Sequence, residues 1–385
     1  MPAERRVIVS APVTSGGLYA HIRNVLPRLR ALRPDWRFEV YGPQEVFRDA
    51  FGRTDEPWMH VWDNEGRGAR LRWEFLQLPR LLRADRQAML LAMFGPFLNL
   101  RLARRAVVRL DNLIVLLKPS ERRIGKADRN RIRILRHVYL ANAKRALRPV
   151  CASLHSRARY VAQTGQPASR FAVVPHGIDP SAFARIRPSP AVEELQRSGP
   201  YVLTIGQATP YRCTRELILA YRLLSERGTA GLPRLVWAGK ARQEDAGYEA
   251  ECLELLAPLA RAGLATHLGH VSHEDVYALD AGARLFVHPS VHEDCPNTIF
   301  EALAAGVPVL CSDIAANREF ARDAVFYLDA PTPDVIASAI EALLSDPRRC
   351  AELRERGPIQ ARSLSWDDTA RRLAATLDDA FAARS

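Results

Sequence analysis

Between Val287 and Ser312 the chain reads VHPSVHEDCPNTIFEALAAGVPVLCS, and this stretch limits the fold more tightly than any other. The apolar run Leu285, Phe286 and Val287 stops at His288-Pro289-Ser290. A polar loop follows through Asn297, and apolar spacing at Ile299, Ala302 and Leu303 predicts a helix closed by Gly306. Val307 to Cys311 is then a short, wholly apolar strand, so the unit reads as a buried βαβ crossover of a parallel sheet. Glu293 stands at the mouth of the helix and Glu301 about one turn inside it. Pro296, Asn297 and Thr298 put free backbone N–H groups at that terminus, where an anion binds. The implied ligand carries a phosphate below and hydroxyls beside it. The plainer alternative is two surface glutamates on a helix of an ordinary α/β domain.

Glu293, seven residues, Glu301 and the following Ala-Leu-Ala-Ala-Gly-Val-Pro-Val resemble the signature of retaining glycosyltransferases of family 4. The wording EDCPNTIFEALAAG is most similar to members that build bacterial cell-surface polysaccharides. The resemblance implies the α/β GT-B fold, two Rossmann-like, doubly wound parallel-sheet domains facing a central cleft. It places an acceptor-binding domain at residues 1–190, a nucleotide-sugar-binding domain at 200–362, and a helix at 363–385 that crosses back to the first domain.

Length agrees with two domains, since 385 residues exceed what one core supports. The nearest approach to a membrane span, Ala88 to Leu100, is short of the roughly 18 apolar residues required and is broken by Gly95-Pro96. The start, MPAERRVIVSAPV, has charges and a strand-like run without a cleavable small-residue site, so no signal peptide is expected and the protein is placed in the cytoplasm. Six scattered cysteines without Cys-x-x-Cys pairs or zinc spacing read as reduced packing thiols.

Charge is concentrated. Asn64 to Val150 carries 21 Lys or Arg against 6 Asp or Glu, a balance of +15 in a chain whose net charge is +12. Within it KPSERRIGKADRNRIRILRHVYLANAKRALR alternates basic and aliphatic residues. Such a segment forms helices that lie on an anionic membrane face, which would seat the protein peripherally at the inner face of the cytoplasmic membrane. It is equally a solvated face of an arginine-rich chain. Nucleic acid ranks behind both, because no reading motif accompanies the charge and aromatics are sparse beside it, so no nucleic-acid partner is expected.

Taken in order, Arg6 to Ala11 is a buried strand that runs into Pro12 to Gly17 and a helix from about Leu18 to Leu32. The turn lets backbone approach a phosphate or sugar, and the resemblance makes Gly16 and Gly17 donor-binding residues. Arg37 to Gly42, Ala88 to Phe94 and Ala106 to Leu110 read as further strands. After the last of these, relatives carry a histidine, whereas this chain reads VVRLDNLIVLL, so Asp111 replaces it. Asp111 is either a hydrogen-bonding partner of a sugar hydroxyl, counted with the catalytic residues, or a turn residue. RFAVVPHGID resembles the family again, with His176 assigned a structural role, and proline-rich 180–200 reads as the interdomain linker.

From Tyr201 a strand, the turn Gly206 to Pro210 and a helix from about Thr214 follow. Relatives show Gly-Arg-x-x-Pro-x-Lys-Gly here, and their two cations neutralise the donor diphosphate. This chain has Gly206, Gln207, Pro210, Arg212 and Cys213. Arg212 can take the lysine's part, since a guanidinium binds two phosphate oxygens at once, but Gln207 supplies no charge. Gly239, His270 and Val271 are placed at the nucleobase by similarity alone. Helices are also expected over Ala250 to Ala262, Thr332 to Leu344, Asp346 to Gly357 and Trp366 to Ala382.

The expected function is transfer of a sugar from a nucleotide-diphospho-sugar to a hydroxyl of a sugar, lipid-linked or small-molecule acceptor. Arg212, the Gly16-Gly17 loop and amides near Asn297 and Thr298 would hold phosphates. Glu293 would hold donor-sugar hydroxyls and Glu301 ribose hydroxyls, with Asp294, Cys295 and Pro296 completing the loop. Retention follows from the resemblance. No Asp-x-Asp pair occurs, so neither a metal nor another cofactor is expected. A natural-product glycosyltransferase with a small aglycone, a sugar-nucleotide 2-epimerase and a non-catalytic partner subunit are the alternatives.

Overall fold

The computed structural model describes residues 5–11, 16–62, 68–93, 95–118, 121, 128–240 and 245–384. The chain divides into two compact units, one of Met1–Leu116, Ile132–Gly177 and Trp366–Ser385, the other of Leu117–Arg131 and Ile178–Ser365. Each is a doubly wound α/β layer around its own parallel sheet, the architecture of GT-B glycosyltransferases.

The first unit contains β1 (Arg6–Ser10), β2 (Arg37–Gly42), β3 (Met59–Val61), β4 (Met89–Ala92), β5 (Ala106–Arg109), β6 (Arg148–Cys151) and β7 (Ala172–Val173), ordered β3-β2-β1-β4-β5-β6-β7. Helices cover both faces, which is why β1, β4 and β5 read as nearly unbroken apolar runs rather than alternating ones. The Trp366–Ala382 helix packs along the Gly16–Leu32 helix and adds Trp366, Leu373 and Leu377 to this core. Arg28 Nε donates to Asp367 Oδ1 at 2.7 Å beside that seam.

The second unit contains β8 (Tyr201–Ile205), β9 (Arg234–Ala238), β10 (Ala265–Gly269), β11 (Leu285–His288), β12 (Val309–Ser312) and β13 (Phe326–Leu328), ordered β10-β9-β8-β11-β12-β13. The chain runs outward from β8 through β9 and β10, then returns to place β11 on the other side of β8. The crevice beyond the carboxyl ends of β8 and β11 is therefore the switch point where open α/β sheets take ligands.

Several expectations change. Gly16 and Gly17 form the first turn of a helix rather than the loop before it, and Pro12 to Ser15 lie outside the described residues. The 180–200 stretch is not a bare linker. It holds a 3-10 turn, Pro180–Arg185, and a helix, Pro190–Arg197, started by a proline whose fixed φ suits the first turn. Val192 and Leu195 of that helix are buried in the second unit's core. β3, β6 and β13 went unpredicted because three- and four-residue strands carry too little pattern. The expected Ala250 helix begins earlier and spans Ala246–Arg261, and the expected Asp346 helix runs on as Pro347–Arg362. Of the basic 118–148 segment, residues 119–120 and 122–127 lie outside the described residues, while Asp128–Arg145 is one helix.

Candidate functional site

In the second unit the site begins with two glycines in contact. β8 is followed by Gly206 with φ of 150° and β9 by Gly239 with φ of 141°, conformations that side chains rarely adopt. A Cβ on Gly239 would lie 2.0 Å from the Gly206 carbonyl oxygen, and one on Gly206 would lie 2.5 Å from Arg212 Nη1. At Gly239 the obstacle is backbone and excludes any side chain, whereas at Gly206 a side chain would displace the Arg212 guanidinium, which lies directly on bare backbone. Gly239 N–H donates to the Gly269 carbonyl at 2.7 Å, and Trp237 Nε1 donates to the Gly206 carbonyl at 3.2 Å, so the strand ends are tied together.

Arg212 closes the turn Pro210–Arg212, and the next residue, Cys213, takes φ of 56° before the Thr214–Glu226 helix. A left-handed conformation at a non-glycine residue costs about 1–2 kcal/mol. The neighbouring structure maintains it, with Val291 N–H donating to the Tyr211 carbonyl at 2.9 Å. Arg212 Nη1 stands 3.8 Å from Glu293 Oε1. Arg212 Nε is buried without a hydrogen-bond partner among the described residues, leaving the guanidinium one unspent donor.

Glu293 is the centre of this group. His288, buried at the end of β11, places Nε2 3.0 Å from Glu293 Oε1. Burial pushes the Glu293 carboxyl up, but Arg212 first and then His288 outweigh it and hold its pKa at about 2. It is an anion at every working pH.

Glu301 behaves oppositely. It lies in the Asn297–Ala305 helix with its carboxyl largely buried, and the one titratable nitrogen within 4 Å among the described residues is His273 Nε2, at 3.9 Å. Burial alone raises its pKa to about 8. The helix is closed by Gly306 at φ of 72°, and its N-terminus has no side-chain cap. Asn297 N–H is occupied by the Cys295 carbonyl and Ile299 N–H by that of Pro296, while Thr298 N–H has no acceptor among the described residues. Asp294 and Cys295 are half-buried in the loop between Glu293 and this terminus, and Pro296 is buried.

The structure does not bring every predicted residue into this group. Gln207 is exposed and makes no hydrogen bond among the described residues. His270 is exposed and Val271 is packed against the core between β10 and the His273–Gly282 helix, and neither side chain bonds to Arg212 or the glutamates. Sequence reasoning missed His288, whose position as the last residue of a buried strand beside a carboxylate loop was the available signal. It also missed Asp280, fully buried with both carboxyl oxygens unpartnered among the described residues, whose pKa burial and then the neighbouring Glu301 carboxyl push well above the ordinary carboxylate value.

The first unit holds a separate polar cluster. Arg109, the last residue of β5, is wholly buried. Its Nε donates to Asp111 Oδ2 at 2.7 Å, Nη2 donates to the Val174 carbonyl at 3.2 Å, and Nη1 lies 2.9 Å from His21 Nε2. His176 Nε2 is 3.4 Å from the same Asp111 oxygen. Burial pushes Asp111 up, yet Arg109 and His176 bring its pKa below the ordinary carboxylate value. Burial, then Arg109, then His176 push the His21 pKa well below the ordinary imidazole value. Since a guanidinium only donates, His21 Nε2 accepts and the ring proton resides on Nδ1. Asp111 Oδ1 is buried and unpartnered among the described residues, an open acceptor on a locked carboxylate. Asp111 is therefore more than a turn residue, and His176 serves to hold it. Gly16 and Gly17 begin the helix that carries His21.

Comparison with known proteins gives the same direction. Residues 187–360 match the sequence model of the family described as glycosyl transferases group 1. Among curated proteins, the chain is 32% identical to the O-antigen chain mannosyltransferase B of Escherichia coli over 168 residues, 44% of this chain and 43% of that protein. It is 28% identical to a D-inositol 3-phosphate glycosyltransferase of Salinispora tropica over 193 residues, 49% of this chain and 40% of that one. The chain thus spans less than half the length of these relatives. Among solved structures, Anabaena HepE in complex with UDP and glucose aligns with TM-score 0.73 at 15% identity, covering 97% of this chain and 100% of that one. WaaG, described as a glycosyltransferase involved in lipopolysaccharide biosynthesis, aligns with TM-score 0.65 at 15% identity over 96% and 98%. At such identity these two likenesses concern the fold.

Proposed function

We propose that the chain is a retaining glycosyltransferase of family 4 that moves a sugar from a nucleotide-diphospho-sugar to an acceptor hydroxyl in the assembly of a cell-surface polysaccharide or glycolipid. The observation that carries the reading is the Arg212, Glu293 and His288 group at the β8–β11 switch point, beside an uncapped helix terminus and above two glycines that bare the backbone. A diphosphate is a good leaving group, so the work left to the protein is to hold it, offset its growing charge and align the acceptor. Arg212 and Thr298 N–H supply donors to the phosphates, the anionic Glu293 accepts donor-sugar hydroxyls, and Glu301 clamps the ribose. Asp111 Oδ1 accepts a sugar hydroxyl. In a front-face route the departing phosphate oxygen takes the acceptor proton, and no protein nucleophile is needed.

The match to glycosyl transferases group 1 and the likeness to a mannosyltransferase of O-antigen synthesis support a saccharide or lipid-linked acceptor. The basic segment supports a seat on the inner face of the cytoplasmic membrane, and among the described residues no helix is long and apolar enough to cross one. The test is release of nucleoside diphosphate from a panel of nucleotide sugars with acceptor present. We expect release that survives excess chelator and falls at least about 100-fold in Glu293→Gln. Loss on chelation would refute metal independence, and an undiminished Glu293→Gln would refute the assignment of the site.

A further inference from the structure

We infer that the first unit carries a second, separate binding pocket for a phosphate-bearing saccharide, at the carboxyl ends of β2 and β3. A cavity of about 510 Å³ opens there, a size that suits a sugar of one or two rings. Its aromatic wall is continuous. Tyr41 stacks on His60 at 4.4 Å between ring centroids, Tyr41 meets Trp73 at 4.8 Å, and Trp62 stacks on Trp73 at 5.1 Å. Trp73 Nε1 donates to Ser10 Oγ at 3.0 Å, which fixes the ring and spends its polar edge inward. Such a wall offers aromatic surface to the C–H groups of a pyranose.

Among the described residues the charge in the pocket is of one sign. Arg72 and Arg80 line it, both are exposed, and neither has a hydrogen bond or ion pair among the described residues. Among the described residues no carboxylate lines it. Glu39, which accepts the Tyr41 hydroxyl at 3.5 Å, is already engaged by Arg6 through bonds of 3.0 and 2.6 Å. His60 Nε2 adds a buried polar atom without a partner among the described residues. Two unpaired guanidiniums beside an aromatic wall select a ligand with a phosphate next to a sugar ring.

The backbone agrees. Ala69–Arg72, the π-helical turn Trp73–Gln77 and Leu78–Ala84 form one continuous helix, and the turn changes the helical register between Arg72 and Arg80. Single π turns recur at functional sites because they re-aim side chains. The pocket also sits on the sheet edge, beyond the strand carboxyl ends, where α/β units bind ligands.

Occupation by the acceptor deepens the proposed transfer and rests on it, but binding itself does not. Calorimetric titration of the full chain, without nucleotide, with glucose, mannose and galactose, each free and as its 1-phosphate, and with inorganic phosphate, tests the pocket. At least one sugar phosphate should bind about tenfold tighter than both its parent sugar and inorganic phosphate. Arg72→Ala with Arg80→Ala should abolish the difference, and Arg72→Lys with Arg80→Lys should restore part of it. An undecaprenyl-diphosphate-linked sugar in micelles separates the sources: tighter binding than the soluble phosphate assigns the ligand to a lipid carrier, and equal binding assigns it to a free sugar phosphate. If no sugar phosphate exceeds its parent, if inorganic phosphate binds as well, or if the alanine variant binds unchanged, the inference is overturned. None of these outcomes touches the nucleotide-sugar reading, which its own donor panel decides.

Discussion

At the scale of single residues, the two glutamates of one motif are driven in opposite directions by their neighbours. Glu293 is ionised because Arg212 and His288 outweigh its burial, and Glu301 is raised to about 8 because nothing offsets its burial. If Glu301 accepts hydrogen bonds from ribose, its charged form binds, so affinity for a nucleoside diphosphate should rise as pH climbs through about 8. Titration at pH 6.5 and 9 should show that gain in the native protein, and Glu301→Gln should remove the slope. An identical slope in the variant would place the titration elsewhere. The stability sign is separate. The folded pKa lies above the ordinary value, so the carboxyl contributes fully below about 4.5 and the contribution is lost as pH rises through about 8.

Sequence alone made Glu293, Glu301 and Arg212 visible, since residue type and spacing are what a motif records. It could not reveal that Arg109 and His176 converge on Asp111 with His21 against Arg109, because residues 21, 109, 111 and 176 are joined only by the sheet order. His288 was hidden for a different reason. A histidine ending an apolar run reads as a strand stop until its partner is placed 3.0 Å away.

At the scale of elements, the second unit's site depends on strand ends that approach without side chains. Gly239→Ala would drive a Cβ to 2.0 Å from the Gly206 carbonyl and impose φ of 141° on alanine. A loss of at least about 3 kcal/mol is expected, read as a lowered melting temperature together with lost nucleotide binding. Gly228→Ala is the matched control, because it bears the strained φ of 66° with open space around its Cβ, and it should cost about 1 kcal/mol. Equal costs at the two positions would contradict the close approach. Helix positions with strong periodicity were legible, and the Trp366–Ala382 helix agrees to the residue. The Pro190–Arg197 helix was not, since a proline-rich stretch of eight helical residues mimics a linker until Val192 and Leu195 find the core.

At the scale of the whole molecule, the last helix belongs to the first unit although the second lies between them in sequence. Ending the chain at Ser365 would remove Trp366, Leu373 and Leu377 from the first core and leave the second core's residues intact. The truncated protein should lose the melting transition of the first unit and keep that of the second. A single unchanged transition would contradict the division of the cores. Two parallel sheets were legible from buried apolar runs separated by helical patterns. The pocket between β2, β3 and the Ala69–Ala84 helix was not, because its wall is assembled from residues 41, 60, 62 and 73, whose spacing in sequence carries no signal.

The central claim is that the second unit holds a nucleotide-diphospho-sugar at Arg212, Glu293 and the Asn297–Ala305 helix. Thermal denaturation of the full chain against a panel of UDP-, GDP-, ADP- and dTDP-sugars tests it most directly. At least one donor at a hundred times its Kd should stabilise the protein by about 2.7 kcal/mol, seen as a rise of several degrees, and Arg212→Ala should lose most of that rise. If no nucleotide sugar shifts the transition at millimolar concentration, or if Arg212→Ala is stabilised as fully as the native chain, the account is contradicted.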